Sequence, residues 1–391
     1  MKYPITPEYL ENAPDPLVRL MHTLEEDILT DICRRLRVSG ELTESAIAQI
    51  RLLMERGYDM TELHELIRKR LNLAATEYDE ILKRAIERNA EYYDQLITAA
   101  DIFPSARIDT AIVEAIRRQS LDEFINLTQS LGFAVEVNGR TEFLPIAEAY
   151  QRVLSNAAIQ VQSGAFSLQQ AISNAVKALA ESGIQVVEYK TGWRNRADVA
   201  ARRAIMTGVT QISSQYTEMA ADIVQTDLRE VSAHRGARDK GLGWQNHKNW
   251  QGKVYAMNGN NPKYDDIHEA CGLGAVDGLE GANCRHMHYV YVEGVSERTW
   301  TDEELANIDP PPVEFEGKKY SAYEATQMQR KLETAMRTAK RKMTAYKASG
   351  NTEQYTAQAA RLQRLRTKYR SFSQKANLPL QLERAAVIKT N

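Results

Sequence analysis

The sequence has few cysteines and no long apolar run. Three widely spaced cysteines in 391 residues are too few for a disulfide framework, so a reduced, intracellular setting is the simpler interpretation. No run of about 18 apolar residues occurs, which argues against a membrane-spanning helix. The opening residues Met1–Pro7 lack the basic and then apolar segments of a signal peptide. We therefore expect no membrane partner.

What the sequence does contain is typical of a globular protein. Hydrophobic residues make up 43% of the chain and charged residues 26%, a balance that excludes an intrinsically disordered protein. At about 100–200 residues per domain, the length allows two or three domains.

Charge is distributed unevenly along the chain. The formal net charge is −2, but residues 316–391 carry 17 Lys and Arg against 5 Asp and Glu, a net charge of +12. Residues 1–315 therefore carry a net charge of −14. Basic clusters attract phosphate backbones without reading base sequence, so the basic segment favours a nucleic-acid or other acidic partner. A solvated basic segment that only balances the acidic body is the alternative.

Apolar residues recur at helical spacing over the first 100 residues. The pattern predicts four helices with short connections, the last two being separate segments around Leu63–Leu71 and Thr76–Ala99. No catalytic constellation accompanies this pattern, which indicates packing.

The middle of the chain also favours helices. A capping box at Ser120–Glu123 predicts a helix start, and Ser167–Gln170 predicts another. Asn138-Gly139 is typical of a turn between two short strands. A long helix is predicted over Arg196–Ile223.

From Leu228 onward glycines become dense and the predicted elements become short. Strands are predicted at Leu228–Ala233, Lys253–Met257 and His286–Val292, and a small hairpin around Gly317. This part of the chain is interpreted as one compact α+β domain.

The last part of the chain predicts an antiparallel pair of basic helices. Ser321 and Glu324 form a capping box, and apolar residues recur every three or four positions on both sides of Ser349–Asn351. The narrow apolar seam would leave most of the surface available to a partner. The side chains that we assign to nucleic-acid or partner binding are Lys340, Arg341, Lys342, Arg361, Arg364, Arg366, Lys368 and Arg370.

These patterns predict a mainly α fold in four parts. Residues 1–103 form an N-terminal helical domain, and residues 104–227 form a middle helical region with short strands. Residues 228–320 form the compact α+β domain, and residues 321–391 form the basic helical hairpin and tail.

The unusual side chains of this protein are concentrated in residues 232–288. This window contains five of the seven histidines and two of the three cysteines. His247, Cys271, Cys284 and His286 are candidate metal ligands, and Cys284 and His286 would face the same side of a strand. No CxxC pair is present, although closed zinc sites usually have one. The alternative is buried cysteines with histidines bonded to turns, and we predict no resident metal or cofactor.

The same window permits a nuclease interpretation. His234 and His247, together with Lys248 or Lys253, could act as a general acid and base of the metal-free type. No P-loop, nucleophile elbow or HExxH motif is present, and nothing in the sequence fixes the mutual geometry of these groups.

A succession of motifs in and beside this window resembles the minor capsid protein 2 family of tailed phages, which is related to the Mu F-like minor head proteins. The resemblance rests on Val231–Arg238, Trp250–Tyr255, Cys271–Gly274, Gly281–His286 and Gly294–Arg298. Several motifs in a fixed order are more specific than any one of them. The similarity covers most of the chain from about residue 150 onward.

The resemblance implies a low-copy structural protein of the phage head and no enzymatic activity. Such proteins enter the prohead near the portal, inside the shell, so the implied partners are the portal protein and other capsid or scaffold proteins. The implied location is the virion interior, after assembly in the host cytoplasm. The basic hairpin would then meet packaged DNA. A nuclease acting on DNA or RNA through the His/Cys-rich window is the alternative function.

Overall fold

The computed structural model describes residues 3–37, 45–57, 59–100, 108–137, 139–187 and 192–385. The N-terminal part consists of helices. They are α1 (Pro7–Asn12), α2 (Asp15–Arg35), α3 (Ala46–Arg56), α4 (Thr61–Ala100) and α5 (Ala111–Thr128).

The middle part combines three helices with a four-stranded antiparallel sheet of order β2-β1-β3-β4. Its elements are β1 (Leu131–Val137), β2 (Arg140–Pro145), α6 (Ile146–Gln162), α7 (Leu168–Ser182), β3 (Gln185–Val187), β4 (Arg194–Arg196) and α8 (Ala197–Val224). The predicted hairpin is confirmed by the β1–β2 pairing, in which Val137 is opposite Arg140. Asn138, in the predicted turn, lies outside the described residues.

The following part has short elements and a three-stranded antiparallel sheet of order β6-β5-β7. Its elements are β5 (Leu228–Val231), β6 (Val254–Ala256), α9 (Ile267–Cys271), β7 (His288–Val290), α10 (Asp302–Ala306), β8 (Val313–Phe315) and β9 (Lys318–Tyr320). Short 3-10 turns occupy Gly243–Gln245 and His247–Asn249. Strands β8 and β9 form the predicted small hairpin.

The chain closes with a pair of long helices, α11 (Ala322–Ala348) and α12 (Thr352–Lys375). The capping box predicted for α11 is present: the Ser321 hydroxyl accepts the Glu324 amide at 3.2 Å, and the Glu324 carboxylate accepts the Ser321 amide at 3.1 Å. The mainly α fold class, with small antiparallel sheets and a C-terminal helix pair, is therefore confirmed.

Two predicted helix boundaries are wrong. Helix α4 continues through Asn72–Ala75, where a break was expected, because this stretch contains neither glycine nor proline and nothing ends the helix. Ser120 does not start a helix; it is buried inside α5, whose apolar periodicity already begins at Val113. A capping sequence acts as a cap only where the preceding residues are not themselves helical.

One large core joins distant parts of the chain. Its buried side chains extend from Tyr3 through Tyr78, Tyr150 and Tyr216 to Tyr346. A second core lies between α11, α12 and the β8–β9 hairpin, and a third fills the irregular region around β5 and α9. The division of the chain into four domains stays a prediction. Among the described residues, no helix has an apolar segment long enough to cross a membrane.

Candidate functional site

Three of the four candidate metal ligands lie together. The Cys284 sulfur lies 3.7 Å from His247 Nδ1 and 3.5 Å from His286 Nδ1. All three side chains are buried, with exposed fractions of 3% for His247, 5% for Cys284 and 1% for His286. The fourth candidate, Cys271, is buried beside Tyr255 at the end of α9 and is not part of this group. We call His247, Cys284 and His286 the three-residue cluster.

Local backbone structure brings these residues together. His247 begins the 3-10 turn before β6, and Cys284 and His286 precede β7. Asn283 adopts a left-handed conformation (φ 60°), which asparagine tolerates better than most residues, and so turns the chain just before Cys284. Strand β5 lies between β6 and β7, so the two segments enter from opposite edges of one sheet.

The outer ring nitrogens of the cluster are already bonded. His247 Nε2 lies 3.1 Å from the Asp277 carbonyl oxygen, and His286 Nε2 lies 3.1 Å from Gln251 Oε1. The same amide oxygen accepts the backbone N–H of His234 at 3.1 Å. Both Nε2 atoms therefore face oxygen acceptors, and both Nδ1 atoms face the sulfur of Cys284.

Aromatic rings surround the cluster. The His234 ring stacks on His286 with centroids 4.4 Å apart, and Trp250 lies 4.6 Å from His247 and 4.8 Å from His286. The Trp250 indole donates to the Trp244 carbonyl at 2.8 Å, which fixes its orientation. The cluster is therefore held in a rigid and largely dry environment.

Burial keeps the imidazoles neutral. Burial lowers the pKa of His247 to about 4, and burial together with Arg285 lowers the pKa of His234 to about 3. The pKa of His286 is also lowered, by burial and by the neighbouring histidines. Burial raises the pKa of the Cys284 thiol to about 11. At neutral pH the imidazoles are bases with free lone pairs, and the thiol retains its proton.

The groups considered for a nuclease are not arranged for phosphodiester cleavage. His234 is buried, and its Nδ1 lies 2.9 Å from the Arg235 carbonyl oxygen. Lys248 is paired with Asp309 at 3.1 Å, while Lys253 donates to the Asn249 carbonyl at 2.8 Å. No substrate-accessible acid–base pair is formed by these four candidates.

The sequence reasoning missed a second histidine arrangement. His288 is fully enclosed between Glu280, 2.7 Å from Nδ1, and Glu218, 2.9 Å from Nε2. Although burial alone would lower it, these two carboxylates raise the pKa of His288 to about 9. Glu218 belongs to α8, 70 residues away in the chain, so no local pattern could have indicated this pair.

The eight predicted basic binding residues occupy different environments. Arg341 and Lys342 are buried on α11 and bonded to Glu25 at 3.1 Å and Glu181 at 2.6 Å. They point into the protein in this structure. Lys340 is half-buried, and burial together with Arg366 lowers its pKa to about 8.

The remaining predicted cations lie on α12. Arg361, Arg364, Arg366 and Arg370 are exposed, and Lys368 is half-buried, pairing with Glu316 beside the Phe315 ring. The exposed basic surface is therefore formed by α12 rather than by both helices. We call these four exposed arginines the α12 arginine group.

Comparison with known proteins agrees with this architecture. The sequence profile of the family described as phage minor capsid protein 2 matches residues 5–374. No curated protein and no solved structure matches the chain significantly. The matched region contains the whole large core, the three-residue cluster and both C-terminal helices. The chain belongs to the phage minor capsid protein 2 family.

Proposed function

We propose that this minor capsid protein is a low-copy structural component inside the phage head, close to the portal, and that it contacts packaged DNA through α12. Membership of a minor capsid family supports the virion location and other capsid proteins as partners. The observation that carries the DNA contact is the exposed α12 arginine group.

The α12 arginine group is suited to a phosphate backbone. Within the described part of the chain, none of its four members has an ion-pair partner, so their charges are available. Lys375 is also exposed, and Arg361, Arg364 and Lys375 lie on one face of the helix. A 24-residue helix is about 36 Å long, enough to follow the backbone of duplex DNA over about one turn.

The packing order places α12 outward. Helix α11 packs on α2 and α7 of the acidic body, and its buried pairs Arg341–Glu25 and Lys342–Glu181 hold it there. Helix α12 packs mainly on α11 through Leu362, Tyr369 and Phe372. The inner helix thus spends its cations on the body, while the outer helix presents its own to solvent.

The DNA contact is tested with the full-length protein. Replacing Arg361, Arg364, Arg366 and Arg370 by Gln should weaken duplex binding and reduce the slope of log K against log salt by up to about 3–4, at about 0.9 per phosphate contact. Fluorescence anisotropy at several salt concentrations measures this slope. A fourfold Gln variant at the exposed residues Arg51, Arg56, Arg68 and Lys69 removes the same charge elsewhere. Equal binding by the two variants, or no binding by the wild type, would contradict the DNA contact.

The portal contact is tested separately. The acidic body, with a net charge of −14 over residues 1–315, favours a basic protein surface as its partner. Co-expression with the portal protein of the same phage and pull-down should recover both proteins. The α12 Gln variant should still be recovered, because the proposed portal surface is the body. Absence of co-purification in the wild type would refute portal association.

Nuclease activity is the second candidate function, and the geometry disfavours it. The imidazoles of His234, His247 and His286 are 6%, 3% and 1% exposed and cannot reach a phosphodiester. We expect no cleavage of DNA or RNA by the purified protein, with or without divalent metals. Cleavage that disappears in a His247→Ala variant would revive this alternative.

A further inference from the structure

The three-residue cluster has the dimensions of a zinc coordination shell. Zinc–sulfur bonds of about 2.3 Å and zinc–nitrogen bonds of about 2.0–2.1 Å place sulfur and nitrogen about 3.5 Å apart in a tetrahedron. The two observed distances from Cys284 Sγ to the Nδ1 atoms are 3.7 Å for His247 and 3.5 Å for His286. The three candidate ligand atoms all lie within 4.8 Å of one another.

The hydrogen bonds orient the ligand lone pairs inward. A carbonyl oxygen only accepts, so the proton of neutral His247 is on Nε2, facing Asp277. Gln251 Oε1 accepts from the His234 amide, so it is the amide oxygen, and His286 Nε2 donates to it as well. Both Nδ1 lone pairs therefore point toward Cys284. Metal-bound histidines usually show this arrangement, with the remote N–H bonded to an oxygen.

Without a cation the proton count of the cluster does not balance. The Cys284 thiol has one proton and is within reach of two Nδ1 acceptors. Whichever imidazole receives it, the other retains a buried lone pair for which no described residue supplies a donor. Leaving a buried polar atom unpaired costs about 1–3 kcal/mol by general experience. A divalent cation would satisfy the sulfur and both nitrogens together.

The backbone also prepares the sulfur for a negative charge. The His286 amide donates to Cys284 Sγ at 3.4 Å, a bond that strengthens when the sulfur becomes a thiolate. No fourth His, Cys, Asp or Glu among the described residues lies within the same distance of all three ligand atoms. The protein thus supplies one sulfur and two nitrogens, a donor set that zinc favours.

We propose that His247 Nδ1, Cys284 Sγ and His286 Nδ1 bind one zinc ion, with a water molecule as fourth ligand. On binding, the Cys284 S–H bond is replaced by a sulfur–zinc bond, and the proton is released to solvent. The ion ties the turn that leads into β6 to the turn that leads into β7. It thereby stabilises a region whose regular elements are too short to fix its own loops.

The test uses the full-length protein, free of any affinity tag and produced with zinc in the medium. Elemental analysis should find about one zinc ion per chain, and cobalt exchange should give the intense visible absorption of a tetrahedral site together with one thiolate-to-cobalt band. Removing zinc with a chelator should lower the midpoint of thermal unfolding, and adding zinc back should restore it.

Two cysteine variants locate the ion. Cys284→Ser should lose the bound zinc and the thiolate band, whereas Cys271→Ser, which removes a buried thiol outside the cluster, should retain both. A wild-type protein that contains no zinc, shows no cobalt spectrum and does not respond to added zinc would overturn the proposal. So would equal metal content in the two variants. The wild-type measurements decide the question even if a variant fails to fold.

Discussion

His288 illustrates how a single buried residue can set the pH response of this protein. Its imidazole is held between Glu218 and Glu280, and Glu218 is also bonded to Arg229 at 2.8 Å. Burial would raise the pKa of Glu218, but hydrogen bonds from His288 and Arg229 lower it to about 2. The group is therefore a charged network that joins α8 to β7.

The linkage gives a definite sign. The pKa of His288 is about 9 in the folded protein and about 6.5 when unfolded, so its stabilising contribution is complete below about pH 6.5 and is lost as pH rises through 9. At about 1.4 kcal/mol per pKa unit, the loss is about 3 kcal/mol. His247 acts in the opposite direction. Its pKa of about 4 means that stability is lost as pH falls from about 6.5 to 4.

We predict that His288→Gln lowers the free energy of unfolding at neutral pH and removes the loss of stability between pH 6.5 and 9. The reason is that Gln carries no proton to release in that window. Urea unfolding of the chelator-treated protein between pH 5 and 10 measures the effect. His64→Gln, at an exposed position of α4, is the matched control and should keep the wild-type profile. An unchanged alkaline limb in His288→Gln would show that another group titrates there.

At the scale of elements, α11 is attached to the body by buried charge as well as by apolar packing. Arg341 lies 3.1 Å from Glu25, whose carboxylate also accepts the Ile184 amide at 2.9 Å. Gly183 makes this approach possible: it has a φ of 62°, and a Cβ there would lie 2.1 Å from Arg341 Nη1. The C-terminal end of α7, the start of β3 and α11 therefore meet at one point.

Replacing Arg341 by Met should destabilise the protein by about 3 kcal/mol, because it leaves the Glu25 carboxylate buried without its nearest cation. The matched change on the neighbouring helix, Arg364→Met, should alter stability by less than about 0.5 kcal/mol, since Arg364 is exposed and unpaired among the described residues. Chemical denaturation of both variants provides the comparison. Equal effects would mean that the buried pair contributes no more than a surface arginine.

At the scale of the whole molecule, the first described residues lock the sheet that carries β7. The Tyr3 ring stacks on Tyr289 with centroids 4.1 Å apart and an interplanar angle of 14°. The Tyr289 hydroxyl donates to the Ile5 carbonyl. The N-terminal segment and β7 are thus parts of one core, although 284 positions separate Ile5 from Tyr289.

Tyr3→Ala should therefore destabilise the protein by about 3 kcal/mol, as expected for removal of a large buried aromatic side chain. It should also speed amide hydrogen exchange in β7, far from residue 3 in sequence. Hydrogen exchange with mass spectrometry monitors both. Phe166→Ala, which removes a side chain that is 44% exposed, should leave exchange in β7 at the wild-type rate. Faster exchange confined to the N-terminal peptide would contradict a shared core.

Much of the local architecture was predictable from the sequence. The caps at Ser167 and Ser321, the period of α8 and the hairpin of β1 and β2 all depend on residues within a few positions of one another. The same locality explains the errors. The Ser120 motif was read without knowing that the preceding turn is already helical, so a true capping pattern was placed inside α5.

By itself, the sequence determined the mainly helical class, the division of charge between an acidic body and a basic end, and, through the order of its motifs, the family. Tertiary structure alone decided that His247 meets Cys284 across 37 residues, that His288 lies between two carboxylates, and that Arg341 points inward. Helix periods and caps are set by neighbours three or four residues apart. Convergence across a fold depends on how loops and sheets close, and no local pattern encodes that geometry.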